Sequence, residues 1–371
     1  MTQRIAMNLL WCVPGVGGSE QYLIRQLLGL SIVKHDFSVV VFAPSGFATS
    51  HPDIAKHFEI VEAPSDCLSR PQRVWLEHTW LARQTKDFDL VHHGGGTVPR
   101  RGTTPTVVTL HDVQWTQYPE YVRPMKRAYL RISVPSSLRR STHITVPSQF
   151  VAGTLMQHFS ISAQKISVVP HGLEFTITTD ITDERTLRER YGIKSRRMIF
   201  FPAITHPHKN HLFLLDLMAN GVGDFADPEL VLVCAGAQGN AELDVANAIA
   251  ERGLSSRVLR LGHVNGADRN GLIQMAEALV FPSEYEGFGA PVIEAMAMGT
   301  PVVCSHQTSL PEVVGDAGVV LPLTQEAWGK ALHVVRMRRN EFVQAGYERS
   351  RMFTIATSAE ALLRVYKKVV Q

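Results

Sequence analysis

The chain has 371 residues, 45% of them apolar and 19% charged, which excludes a disordered or fibrous protein and leaves room for two cores. Its formal charge of +3 is unevenly placed: residues 1–172 hold 17 Lys and Arg against 11 Asp and Glu, residues 173–371 hold 20 against 23. The four cysteines, Cys12, Cys67, Cys234 and Cys304, have no metal-ligand spacing and suit reduced thiols in a cytoplasmic core.

Short β-rich apolar runs alternate with helix-length segments along the whole chain, the pattern of parallel sheets covered on both faces. The first run, from Ile5 to Val13, is broken by Pro14 and Gly15 and is too short to span a membrane. It reads as a first strand rather than a leader. In the first half strands are predicted at 4–11, 38–43, 58–62, 89–92, 106–110, 142–146 and 166–169, with helices at 18–34, 71–86, 122–140 and 148–159. The segment 123–140 is basic, with Arg123, Lys126, Arg127, Arg131, Arg139 and Arg140, Glu120 the only acid between 118 and 140, and Met125, Tyr129, Leu130 and Ile132 interleaved. A basic amphipathic helix resting on anionic lipid and a solvated basic helix face both fit this pattern.

Pro170-His171-Gly172-Leu173 closes the first half, and the polar stretch to Glu184 reads as an interdomain linker and hinge. Beyond it strands are predicted at 198–201, 230–234, 258–261, 278–281, 301–304 and 319–321, with helices at 209–219, 241–252, 268–276, 291–298 and 324–338. Residues 357–370 form an amphipathic helix along Leu362, Val365 and Val369. The expected fold class is α/β, with two Rossmann-like, doubly wound parallel-sheet domains, 1–172 and 173–354.

Several strand ends carry candidate chemistry. After the first strand comes Pro14-Gly15-Val16-Gly17-Gly18-Ser19-Glu20, a glycine turn opening a helix, whose N–H groups suit a phosphate or a sugar. Its glycines lack the full Gly-x-Gly-x-x-Gly spacing, and no acid closes the strand Val39–Phe42, so a dinucleotide is the poorer fit. His111 and Asp112 end a strand at the edge where open α/β sheets bind ligands. His92 and His93, before Gly94-Gly95-Gly96, either line an acceptor side or serve the fold. Asp87-Phe88-Asp89 precedes its strand, at the wrong end for a metal site.

The most informative run is Glu286-Gly287-Phe288-Gly289-Ala290-Pro291-Val292-Ile293-Glu294-Ala295-Met296-Ala297, followed by Gly299-Thr300-Pro301-Val302. A strand ends just before it and a helix opens at Pro291. Residues 287–290 then point N–H groups from the positive end of that helix at an anion, while the two carboxylates, which would repel phosphate, suit hydroxyls on either side of it.

This run resembles the signature of retaining glycosyltransferases of the GT-B fold, glycosyltransferase family four. The resemblance implies two Rossmann-like domains facing across a cleft and a C-terminal helix that crosses back to the first domain. The first domain would bind the acceptor and the second the nucleotide sugar. It implies that Glu286 contacts donor-sugar hydroxyls and Glu294 the ribose, that Lys209 neutralises the donor diphosphate and that His111 lines the donor sugar. Gly17, Gly18, Gly287, Phe288, Gly289, Ser309 and Leu310 would lie along the diphosphate, and His263 and Val264 at the base. Gly15, Glu20, His92, His93 and Asp112 would form the acceptor side. The family commonly has an arginine where this chain has Ala203, with His206 or His208 as stand-ins. Pro-His-Lys-Asn-His over 207–211 is similar to members that transfer mannose in bacterial polysaccharide assembly. The implied activity is hexosyl transfer, mannose favoured, from a nucleoside diphosphate sugar such as GDP-mannose or a UDP-sugar to a glycan or lipid-linked acceptor. No cofactor, metal or nucleic acid is implied. The implied place is cytoplasmic, at the inner face of a membrane if the basic segment meets lipid. Two other readings share the scaffold: a sugar-nucleotide epimerase or glycan phosphorylase, and a non-catalytic sugar-nucleotide-binding homologue.

Overall fold

The computed structural model describes residues 2–12, 18–100, 102, 104–194 and 196–371; Gly15 and Gly17 lie outside these. The chain divides into two compact units, Met1–Gly172 with Thr354–Gln371, and Leu173–Phe353.

Unit one is built on seven strands, β1 (Arg4–Asn8), β2 (Ser38–Ala43), β3 (Glu59–Glu62), β4 (Leu90–His93), β5 (Thr106–Thr109), β6 (His143–Val146) and β7 (Ile166–Val168). All pair in parallel, in the order β3-β2-β1-β4-β5-β6-β7. Central strands are buried on both faces, as the unbroken apolar runs require. The C-terminal helix Ile355–Val370 belongs to this unit and lays Ala359, Leu362 and Tyr366 into its core. It packs on the helix Gly18–Ile32, where Gly29 leaves no room for a side chain: a Cβ there would stand 2.2 Å from the Ile355 carbonyl oxygen.

His92 is fully buried beneath this helix. Its Nδ1 meets the Tyr366 hydroxyl at 2.7 Å and its Nε2 meets Thr109 Oγ1 at 2.7 Å. With both ring nitrogens used inside the unit, His92 pins the sheet to the C-terminal helix, and the acceptor-side expectation for it is corrected. His93 is also buried, bonded to the Asn8 side chain at 3.1 Å, with Asn8 in turn donating to Glu77.

Unit two holds β8 (Arg197–Pro202), β9 (Leu230–Ala235), β10 (Val258–Arg260), β11 (Ala278–Phe281), β12 (Val302–Ser305) and β13 (Val319–Leu321), all parallel, in the order β10-β9-β8-β11-β12-β13. The two doubly wound sheets are those expected from the sequence. The stretch read as a linker is more ordered than expected. Thr182 donates its hydroxyl to Asp268 and its backbone N–H to the Ala267 carbonyl, and Asp183 caps a helix, Glu184–Tyr191, whose Leu187 is fully buried. Burial pushes the Asp268 carboxyl up, but hydrogen bonds from Thr182, Tyr191 and Arg190 outweigh it and hold the group at about 2. The helix Arg339–Ser350, which the sequence did not announce, packs on the helix Ala290–Ala297 through Gly346.

Two predictions follow from this packing. Gly29→Ala forces its methyl group into the carbonyl of Ile355 and is expected to cost about 1–3 kcal/mol in urea unfolding. Gly153→Ala, a helix position with nothing within 4 Å of the new Cβ, should instead gain roughly 0.5–1 kcal/mol.

Burial drives the imidazoles of His92 and His93 from 6.5 down to about 3. Between these values the unfolded chain binds protons that the folded chain excludes, so this stability is complete above about pH 6.5 and is lost as pH falls toward 3. Urea midpoints between pH 7.5 and 5 should therefore decline, on the order of 2 kcal/mol per buried histidine at pH 5. A flat profile would contradict the burial.

Candidate functional site

In unit two the winding reverses between β8 and β11, which neighbour each other although two strands and several helices separate them in sequence. A doubly wound sheet opens its crevice at such a point, beyond the carboxyl ends of the strands. The loop leaving β8 ends in the turn Pro207–Lys209, and the loop leaving β11 carries Glu286. The backbone N–H of Glu284 donates to the His208 carbonyl at 2.8 Å and ties the two loops together. Lys209 Nζ then reaches Glu286 Oε1 at 2.6 Å, with the side chains only 19% and 10% exposed. Nζ also stands 5.5 Å from the centre of the Phe281 ring. Sequence positions 77 apart are thus brought into one charge-assisted contact.

The Glu286 loop is fixed from behind. Thr308, at φ 54°, accepts from the Glu286 N–H at 2.9 Å, and Ser309 donates to the Glu286 carbonyl at 3.0 Å. A threonine held in the left-handed region costs about 1–3 kcal/mol and persists only where surroundings impose it. Gly289, at φ 95°, makes the turn into the helix Ala290–Ala297, with Pro291 in the first turn and no side chain capping its N–H groups. That open helix start has the polarity an anion requires. Glu294 lies one turn inside and is 2% exposed, with Arg269 Nη1 3.0 Å from its Oε2.

Two residues named for the donor site turn their side chains elsewhere. Phe288 packs into the core edge-on to Phe353, ring centres 5.6 Å apart, and Leu310 is fully buried against Gly289. The apolar side chains supply packing, so a donor reaches backbone only at these two positions. Ser309 is likewise buried, its hydroxyl committed to the loop. Gly287 is half-buried at the loop's bend.

On the other side of β8, Ala203 borders a cavity of about 420 Å3 at the carboxyl ends of β8, β9 and β10. Arg260 and Glu242 pair across it, and Thr205 donates to Glu242 at 2.5 Å. His208 does not replace the missing arginine: burial first, then the neighbouring Lys209, His206 and His211, bring its imidazole to about 3, so it is neutral near pH 7. His263 is exposed and Val264 half-buried, just before Asn265 caps the helix Gly266–Met275. Arg269, Arg260 and Glu242 were missed by sequence reasoning. They sit inside helices or within a strand, with no local pattern that points at the crevice.

In unit one His111 follows β5 and is half-buried, with Nε2 3.0 Å from the Gly94 carbonyl. That contact makes Nε2 the protonated nitrogen and leaves Nδ1 as an acceptor, buried and with no hydrogen-bond partner among the described residues. Burial lowers its imidazole below the usual range, against weaker opposing contributions from the Gly94 bond and Asp112. Asp112 is exposed and accepts from the Gln114 N–H at 3.0 Å. Glu20 differs from expectation: it is 2% exposed and its carboxylate meets His51 Nε2 at 3.2 Å, so it faces the interior of the unit instead of an acceptor. Gly18 begins the first helix and is exposed. Among the described residues no group of three or more potential metal ligands is found, and no helix is long and apolar enough to cross a membrane.

Two family models match the chain. "Glycosyltransferase Family 4" covers residues 16–176 and "Glycosyl transferases group 1" covers residues 183–335. The chain is 31% identical over 243 residues to an O-antigen chain mannosyltransferase B of Escherichia coli, covering 65% of this chain and 63% of that protein. It spans about three fifths of the length of the first curated relatives it matches. A phosphatidyl-myo-inositol mannosyltransferase of Mycolicibacterium smegmatis is 25% identical across 99% of this chain and 94% of its own. Among solved structures, Anabaena HepE in complex with UDP and glucose superposes with a TM-score of 0.75 at 18% identity, covering 99% of this chain and all of that one. Models that take up both halves in turn, over two doubly wound sheets whose second carries the paired Lys209 and Glu286 at its switch point, place the chain in glycosyltransferase family four, with the GT-B fold.

Proposed function

We propose that this chain is a retaining glycosyltransferase that moves a hexose, mannose favoured, from a nucleoside diphosphate sugar to a hydroxyl of a glycan or lipid-linked acceptor. The observation that carries the reading is the Lys209–Glu286 pair beside an uncapped helix start, at the switch point of unit two. A diphosphate settling on the N–H groups of residues 287–290 draws the Lys209 ammonium onto itself, since phosphate offers more negative charge than one carboxylate. Glu286, released from the lysine, accepts from donor-sugar hydroxyls, and Glu294 takes the ribose. As the bond from sugar to phosphate breaks, charge grows on the leaving group, and Lys209 with the helix start stabilises it. His111, neutral and with Nδ1 unpaired, is assigned to a sugar hydroxyl. No residue serves as a nucleophile in this scheme. Attack and departure occur on one face of the sugar, the leaving phosphate accepts the acceptor's proton, and catalysis is positioning and charge stabilisation. The mannosyl relatives support the sugar, and the neighbour solved with UDP and glucose supports a nucleotide-sugar donor.

A peripheral contact with anionic lipid is proposed for the helix Pro124–Arg140. Tyr129 and Leu130 turn partly inward, but Met125 and Ile132 are 88% and 64% exposed, close in sequence to the exposed Arg123 and Lys126.

Lys209→Ala and Glu286→Ala should each lower turnover by about 100- to 1000-fold while the thermal midpoint shows a folded protein; near-normal turnover in either would defeat the assignment. Calorimetric titration with GDP, GDP-mannose, UDP and UDP-glucose should show one nucleotide bound and that binding weakened by Glu294→Ala. Release of free nucleotide only when an acceptor is present would argue against the phosphorylase or epimerase alternative, and binding without turnover on any acceptor would favour the non-catalytic one. Sedimentation with phosphatidylglycerol vesicles should fall when Met125 and Ile132 are both changed to Glu, and an unchanged bound fraction would remove the lipid contact.

A further inference from the structure

A groove of about 860 Å3 lies in unit one, between the helix Pro124–Arg140 and the end of the helix Gln149–Phe159. Arg127, Arg131, Pro135 and Arg139 follow one another at intervals of four and so form a single stripe along the groove. From Arg127 to Arg139 the helix rises about 18 Å. Trp115, His158 and Phe159 complete the wall, the Trp115 and Phe159 rings lying 6.1 Å apart, centre to centre.

Two features of this groove ask for a ligand. Among the described residues, no acidic side chain pairs with Arg127, Arg131 or Arg139. Arg127 is instead braced against the Pro119 carbonyl at 3.4 Å, and three like charges in a row repel one another until an anion joins them. Half-buried aromatic rings stand beside the guanidiniums, giving an apolar floor within a charged wall. Trp115 is three residues past Asp112 in sequence, on the segment that follows β5 and His111.

We propose that this groove binds an acidic saccharide segment, a glycan bearing carboxylate or phosphate groups, and so makes the acceptor an acidic glycan. The inference rests on the glycosyltransferase reading above. The guanidiniums take the acidic groups and the aromatic floor takes the faces of sugar rings. A groove along one helix fits a linear chain better than it fits a flat lipid surface. Lipid would reach the protruding Met125 and Ile132, which lie off the arginine stripe.

The test is calorimetric titration of the full chain with oligogalacturonate, with its neutral methyl ester and with phosphatidylglycerol vesicles, repeated on Arg127→Gln/Arg131→Gln/Arg139→Gln. Expected is binding of oligogalacturonate at least tenfold tighter than of the ester, weakened by salt and reduced at least tenfold in the triple variant. Nucleotide binding and thermal midpoint should be unchanged; if the triple variant does not fold, the exposed Arg131→Gln alone is used, with a proportionate loss expected. Equal affinity for acid and ester, an unaltered affinity in the variants, or vesicle binding that alone depends on the three arginines would overturn the proposal. Absence of nucleotide binding in the unmodified chain would instead strike the glycosyltransferase reading, so the two failures are distinguishable.

Discussion

Parallel strands force each connection to cross back over the sheet, and where successive crossings change sides no helix covers the carboxyl edge. In unit two that uncovered edge lies between β8 and β11. Everything distinctive about the site follows from it. The loop after β8 and the loop after β11 emerge side by side, and a single backbone bond, from Glu284 to His208, holds Lys209 opposite Glu286. The helix Ala290–Ala297 starts immediately beyond, so a fixed charge, a carboxylate and a row of N–H groups converge without any one of them being strained toward another.

The Lys209–Glu286 pair is physically poised rather than simply stabilising. Two mostly buried opposite charges lose hydration that their attraction only partly restores, so such a pair adds little net stability, yet removing one partner leaves the other exposed to the full cost of desolvation. A ligand carrying two or more negative charges can therefore displace Glu286 from Lys209 at modest cost. The scaffold behind the pair is correspondingly rigid, with Thr308 held in the left-handed region and Ser309 bonded to the Glu286 carbonyl. Arg269 against Glu294 repeats the arrangement one helical turn deeper.

Unit one depends on a different constraint. Its sheet is completed by a helix from the far end of the chain, and the contact is close because Gly29 offers no side chain to the Ile355 backbone. The Tyr366–His92–Thr109–Thr145 chain of hydrogen bonds carries that docking into the centre of the sheet. His92, which has the sequence context of a ligand-facing histidine, is thereby spent on the fold, while His111, one strand farther along, keeps an unused nitrogen.

Strand positions were legible because buried parallel strands are short apolar runs whose limits do not depend on partners; β2, β11 and β13 lie just where their runs do. Glu286, Glu294 and Lys209 were legible too, since the glycines, the proline and the strand end around them are local. The helices Glu184–Tyr191 and Arg339–Ser350 escaped notice because each is mostly polar and buries only a narrow strip, Leu187 in one and Phe342, Gly346 and Ser350 in the other. Their stability comes from what they pack against. The same holds for side-chain direction: the sequence could place Phe288, Leu310, Glu20 and His92 at strand and helix ends, but only packing turned the first two into the core, Glu20 toward His51 and His92 toward Tyr366. By itself the sequence determined the fold class and the pair of carboxylates, because both are written in short-range patterns. Tertiary structure alone decided which charges meet and which polar groups are consumed by the core, because those contacts join residues tens to hundreds of positions apart.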